Sequence, residues 1–148
     1  DGWRGYEISN WARPGHESRH NLGDWERRPH EAVGPGAHAF DGASRRWNAA
    51  NLNRYIEALL PAPGSDRRPG LPPGGREAID PATAAAEAVV LGLRTDRGLP
   101  RSAATEPPLA DAVAWALAAE LLMVNAADRI VLTTRGRLLS NELFQRLV

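Results

Sequence analysis

Three of the four histidines, His20, His30 and His38, lie between residues 20 and 40, together with Trp25 and the turn Gly34-Pro35-Gly36. Imidazole nitrogens ligate transition metals, and indole rings lie flat against conjugated ligands. His20-Asn21, with Trp25 close behind, therefore offers an axial ligand for haem iron and a ring to cover a porphyrin face. A capped loop, with His20 and Asn21 bonded to nearby backbone, is the competing reading.

Two neighbouring stretches invite the same reasoning. Gly34, Gly36, Ala37 and His38 follow the run His30-Glu31-Ala32-Val33, which is expected as a strand. Small residues past a strand let backbone groups approach a flat ligand, and proline stiffens the turn. Ligands of open α/β sheets and barrels sit at the carboxyl ends of strands. Glu7, Ser9 and Asn10 close the alternating run Gly5-Tyr6-Glu7-Ile8-Ser9, a second expected strand, and would project polar groups at its end. Strand-end capping explains them equally well. Further on, Leu132-Thr133-Thr134-Arg135-Gly136 has the look of a winged-helix wing, where Arg129, Arg135 and Arg137 would meet phosphates. Asp111, Glu120, Asp128 and Glu142 dilute that charge. The preferred reading is a Thr133 or Thr134 helix cap with Gly136 relieving crowding, and no nucleic-acid partner.

Composition narrows the chemistry. The 148 residues, 43% of them apolar, are enough for about one domain. Eighteen basic residues, all arginine, balance eighteen acidic ones, so no net field attracts nucleic acid or an anionic membrane. The absence of cysteine removes disulfides, thiolate metal sites, thiol nucleophiles and iron–sulfur ligation from this chain. No apolar run approaches the roughly 20 residues that span a bilayer, and no signal peptide opens the chain. The expected compartment is the cytoplasm. The start, Asp1-Gly2-Trp3, fits a piece of something longer.

These residues need elements to position them. Residues 1–60 carry all four histidines and four of the five tryptophans. They contain too few elements to close a sheet, and read as the end of a larger α/β domain. Within them Leu52, Tyr55, Ile56 and Leu59 stand at helical spacing, one face toward a core. Residues 61–76, rich in Pro and Gly, read as a flexible linker. Residues 77–148 read as mostly helical. Asp80-Pro81 opens a helix of about 14 residues by its cap and first-position proline. A second helix carries Val113, Ala116, Leu117 and Leu121. A strand follows over Asp128–Thr134, then a third helix with Leu139, Leu143 and Leu147 in register. That order suggests a winged-helix-like fold.

Five motifs in order then carry a resemblance: "YEISNWARPG", "RHNLGDW", "VGPGAHAF", "RRWNAANLNRYIEAL" and "LTTRGRLLSNELF". From about Tyr6 onward the chain resembles the C-terminal part of the HemW family, radical S-adenosylmethionine haem chaperones related to oxygen-independent coproporphyrinogen III oxidase. The resemblance implies that residues 1–60 are the last strands of a partial β/α barrel. The barrel's earlier part would hold a [4Fe–4S] cluster through a CxxxCxxC loop, with S-adenosylmethionine on its open iron, and that part is absent here. Gly34, Gly36, Ala37 and His38 would lie near the adenosyl group, and Glu7, Ser9 and Asn10 would face the same cavity.

The family's HNxxYW haem motif falls on His20, Asn21 and Trp25, with His20 the implied axial ligand and His16 and His30 in reserve. Its tyrosine position is Asp24, a carboxylate expected to pair with Arg27 or Arg28. A position often cysteine is Ser18. The implied partners are haem-accepting proteins and the missing barrel. The implied function is haem delivery, with a coproporphyrinogen oxidase or a winged-helix DNA-binding module as alternatives.

Overall fold

The run expected as one strand over Gly5–Ser9 instead turns back on itself. The computed structural model describes residues 2–60 and 72–147. In it β1 (Arg4–Gly5) pairs antiparallel with β2 (Trp11–Ala12), Gly5 facing Trp11. Glu7, Ser9 and Asn10 therefore belong to the hairpin connection and not to a strand's carboxyl end. Tyr6 and Glu7 are buried within it, while Ser9 and Asn10 are exposed. The expected loop over His20–Trp25 is a helix, α1 (Arg19–Trp25). Ser18 starts it, its hydroxyl accepting from the Asn21 N–H at 3.3 Å, which satisfies one of the unpaired donors of the first turn.

The chain divides into two units, one of residues 1–27 with 81–148 and the other of residues 28–80. The division departs from the expected 1–60, 61–76 and 77–148. Residues 61–71 of the expected linker lie outside the described residues, but Gly74, Gly75 and Arg76 belong to a strand.

The unit of residues 28–80 is built on an antiparallel sheet of β3 (His38–Phe40), β4 (Ser44–Asn48) and β5 (Gly74–Ala78), in that order. Between β4 and β5 runs α2 (Leu52–Leu59). His30–Val33 is not a strand; His30 alone bridges Phe40. Gly34-Pro35-Gly36 thus leads into β3, the reverse of the expected order. The β3–β4 turn is made by Asp41, whose Oδ1 accepts from the Ala43 and Ser44 N–H groups at 2.9 and 2.7 Å. Its Oδ2 accepts from the Ser44 hydroxyl at 2.7 Å. That hydroxyl first, then the two backbone donors and Arg76, hold the Asp41 carboxyl down at about 2. Helix α2 starts on an Asn51 cap, but Leu52 is 57% and Ile56 44% exposed. Its apolar stripe meets no core among the described residues.

The other unit continues from β1, β2 and α1 with α3 (Pro81–Leu93), β6 (Leu99–Pro100), α4 (Leu109–Ala118), β7 (Leu122–Val124), β8 (Arg129–Leu132), α5 (Thr134–Leu138) and α6 (Ser140–Phe144). Its sheet has the order β6-β8-β7. Val89, Leu93, Val113, Ala116, Ile130, Leu132 and Leu143 form the core. The expected third helix is broken into α5 and α6 at Leu139, which is exposed, so only Leu143 and Leu147 face inward. Of the two threonines read as a possible cap, Thr133 caps α5: its hydroxyl accepts from the Gly136 N–H at 2.9 Å and donates to Glu120 O at 2.8 Å.

Hydrogen bonds stitch the early residues to the later ones. Glu7 bridges Thr95, and the Asp96 N–H donates to Tyr6 O at 3.0 Å. Every named strand pairing among the described residues is antiparallel. The parallel strands expected of a barrel end are not among them. No helix of the described residues is long and apolar enough to cross a membrane.

Candidate functional site

Helix α1 presents His20 to solvent, its side chain 84% exposed. One turn on, Asp24 Oδ2 lies 3.7 Å from His20 Nε2, the i,i+4 neighbour relation of helices. Asp24 therefore pairs with His20 and not with Arg27, which forms an ion pair with Glu87 at 3.3 Å and donates to the Ala84 carbonyl. Asn21 Nδ2 donates to the Tyr6 hydroxyl at 3.5 Å.

Trp25 is placed differently from the expectation. Five residues beyond His20, it is rotated about 140° around the axis. The two do not share a face, so one porphyrin cannot meet both as axial ligand and cover. The Trp25 ring is instead faced by the Arg94 guanidinium, 4.7 Å from its centroid. Its Nε1 is buried with no acceptor.

Glu7 is 1% exposed. Its Oε1 accepts from the Ser9 N–H at 2.8 Å, its Oε2 is buried with no donor, and its carbonyl accepts from Arg137 at 3.1 Å. Ser9 and Asn10 stand exposed at the turn beside it.

In the other unit Gly34 and Gly36 both take positive φ, 100° and 67°, which a glycine adopts without steric cost. The turn's backbone is engaged internally. Gly34 N–H donates to the Tyr55 hydroxyl at 3.1 Å and Gly36 N–H to Ala49 O at 3.0 Å. Gly34 O and Ala37 O accept from Asn48 Nδ2 and Asn48 N–H, each at 2.9 Å. His38 stacks on Trp47, ring centroids 5.8 Å apart. The turn is a fastened structure rather than an open row of backbone groups.

A further aromatic surface escaped the sequence reading. Trp3 and Trp11, 56% and 64% exposed, line a cavity of about 330 Å³ with Ala12, Arg13 and His16. The Arg13 guanidinium lies 5.9 Å from the Trp3 ring. The signal was two tryptophans flanking the seven residues Arg4 to Asn10, a hairpin pattern hidden by assigning one strand. No cluster of three or more histidine, aspartate or glutamate residues placed to hold a metal ion occurs among the described residues.

With this geometry in place, the comparisons with known proteins define first a class. The fold matches that of a solved structure titled "Coproporphyrinogen III oxidase (HemN) from Escherichia coli is a Radical SAM enzyme", with a TM-score of 0.65 and 16% identity over 99% of this chain and 37% of that one. In sequence, the homologues are HemW haem chaperones, and the chain is a HemW-like sequence matching their C-terminal part. It is 40% identical over 149 residues to the haem chaperone HemW of Mycobacterium tuberculosis, covering 99% of this chain. It is 31% identical over 145 residues to that of Bacillus subtilis, covering 94%. The chain spans about a third of the length of these relatives, 35% and 36%. No protein-family model matches it.

Proposed function

We propose that this chain supplies the haem-contacting part of a haem chaperone, with haem carried as cargo and passed to haem proteins. The observation that carries the proposal is His20, solvent-exposed on a capped helix with Asp24 beside its Nε2. A carboxylate next to one ring nitrogen orients an imidazole and leaves the other nitrogen for metal. Asp24, where the family pattern has an aromatic residue, gains a positioning role by this account. The names of the relatives support haem as the cargo.

The [4Fe–4S] cluster does not fit this chain, which has no cysteine to ligate it. In the proposal the cluster and S-adenosylmethionine belong to the remainder of a full-length protein. Glu7, with its unsatisfied buried Oε2, is proposed as an acceptor facing that cofactor cavity, with Ser9 and Asn10 beside it. Gly34, Gly36, Ala37 and His38, in the unit of residues 28–80, are proposed by themselves to meet the cofactor by shape, since backbone groups of this turn are engaged elsewhere. The β7–β8 hairpin after α3 and α4 supports a winged-helix-like description of the last third. A cytoplasmic setting belongs to the same proposal.

The test is a haem titration followed by the visible spectrum. A saturable Soret shift is expected, with affinity falling at least tenfold in His20→Ala and unchanged in His30→Ala. A shift indifferent to His20 rejects the site. The fold likeness to HemN supports one rival, a coproporphyrinogen III oxidase. Protoporphyrinogen formation by a full-length protein would select the rival.

A further inference from the structure

The side of α1 opposite His20 borders a cavity of about 380 Å³, lined among others by Leu22, Trp25, Arg97 and Arg129. Two donors buried beside α1 have no acceptor, Trp25 Nε1 and Arg94 Nε. Buried donors of native proteins are ordinarily paired, so each such orphan calls for a partner. The cations are the second observation. Arg129 donates through Nε to Arg97 O at 2.5 Å and through a terminal nitrogen to Gly98 O at 2.8 Å. Both partners are neutral carbonyls, and no carboxylate pairs with Arg129 among the described residues. Arg97 meets Glu26 at 2.6 Å. Arg27 is matched by Glu87 at 3.3 Å, so Arg129 is the lining cation whose described partners are neutral carbonyls.

Such a lining asks for a negatively charged acceptor. A guanidinium fork matches a carboxylate in geometry and forms its strongest hydrogen bonds with it. Arg129 is already held by two carbonyls, so little side-chain freedom remains to be lost on binding. The volume is near the lower end of small-molecule pockets, about 300–1,000 Å³, room for a carboxyalkyl arm more than for a whole macrocycle.

We infer that this cavity receives a carboxylate, bound by Arg129 and Arg97 and by the Trp25 indole N–H. Resting on the haem-chaperone reading above, the carboxylate is a porphyrin propionate. Trp25 then serves the ligand's edge as a hydrogen-bond donor and not its face as a stacking ring.

The experiment follows the indole N–H resonance of Trp25 in the ¹⁵N-labelled chain, identified by its loss in Trp25→Phe. Sodium propionate should shift it saturably where sodium chloride at equal ionic strength does not. The response should weaken at least tenfold in Arg129→Gln and, as a second variant on a more exposed side chain, in Arg97→Gln. No shift, or one matched by chloride, overturns the carboxylate site. A parallel titration compares haem with its dimethyl ester. Tenfold weaker binding of the ester, with Trp25→Phe weakening haem alone, supports the propionate assignment; equal binding of both overturns it. If Trp25 responds to propionate while neither porphyrin binds, the carboxylate site stands and the haem reading is what fails.

Discussion

The guanidinium of Arg94 lies 4.7 Å from the ring centroid of Trp25 and 5.7 Å from that of Phe144. One side chain just past α3 therefore links α1 to α6. Replacing it with leucine should lower stability by about 1 kcal/mol from the lost cation–π contact. Arg94→Lys should recover only part, because ammonium lacks the planar face. Denaturant midpoints of the two variants check this; equal stability of all three proteins would deny the link.

Asn48 holds the glycine-rich turn. It is buried, and its Nδ2 donates to Ala32 O at 3.3 Å and Gly34 O at 2.9 Å. Asn48→Leu leaves both acceptors without this donor and should cost about 1–3 kcal/mol. Backbone amide exchange should rise first at Gly36 and Tyr55-adjacent residues. Unchanged protection there would mean the turn is held by other bonds.

Gly136 permits a close backbone crossing. A Cβ placed there would stand 1.8 Å from Leu121 O, and a backbone atom cannot swing aside. Gly136→Ala should destabilise its unit by about 3 kcal/mol through overpacking. Thermal unfolding reads the loss. A melting temperature within a degree of the parent's would refute the crossing.

Asp41 sets an acid limit on the β3–β4 turn. Its carboxyl is lowered from 3.8 to about 2 by the Ser44 hydroxyl, the two N–H donors and Arg76. A carboxyl depressed on folding stabilises the folded form above its unfolded pKa, and that contribution fades as pH falls through the folded value. The turn should therefore loosen as pH drops from about 4 to about 2. A carboxyl-carbon NMR titration should place the Asp41 midpoint near the lower value, and Ser44→Ala should move it upward.

The alanine- and leucine-rich part was legible because its local signals agreed. Asp80-Pro81 announced α3, and Thr133-Thr134 announced a helix start, which Thr133 caps. The break at Leu139 was not legible, since Leu139, Leu143 and Leu147 fit one helix by spacing. Composition alone also misled at residues 74–76: Gly74 and Gly75 lie against β4 where a side chain would collide with Trp47, so glycine there marks close strand packing. Glu7, Ser9 and Asn10 were read as a strand's end, whereas they lie in a hairpin connection, because a two-residue strand pair is too short to show as alternation. His20 was visible by type. Its separation from Trp25 became visible only once α1 was known to be helical, because a loop sets no angle between its residues.

The unit that holds α1 is made from both ends of the chain, with residues 28–80 inserted between its two parts. Arg27 finds Ala84 across 57 positions, and Glu7 finds Arg137 across 130. On the ribosome the first 27 residues emerge long before their partners, whereas residues 28–80 can pair β3, β4 and β5 as soon as they appear. Synthesis thus imposes an order, insertion before host, with β1, β2 and α1 waiting for the last helices. A ribosome stalled once Ala78 has cleared the exit tunnel should display residues 28–80 protected while residues 1–27, His20 among them, are still protease-sensitive.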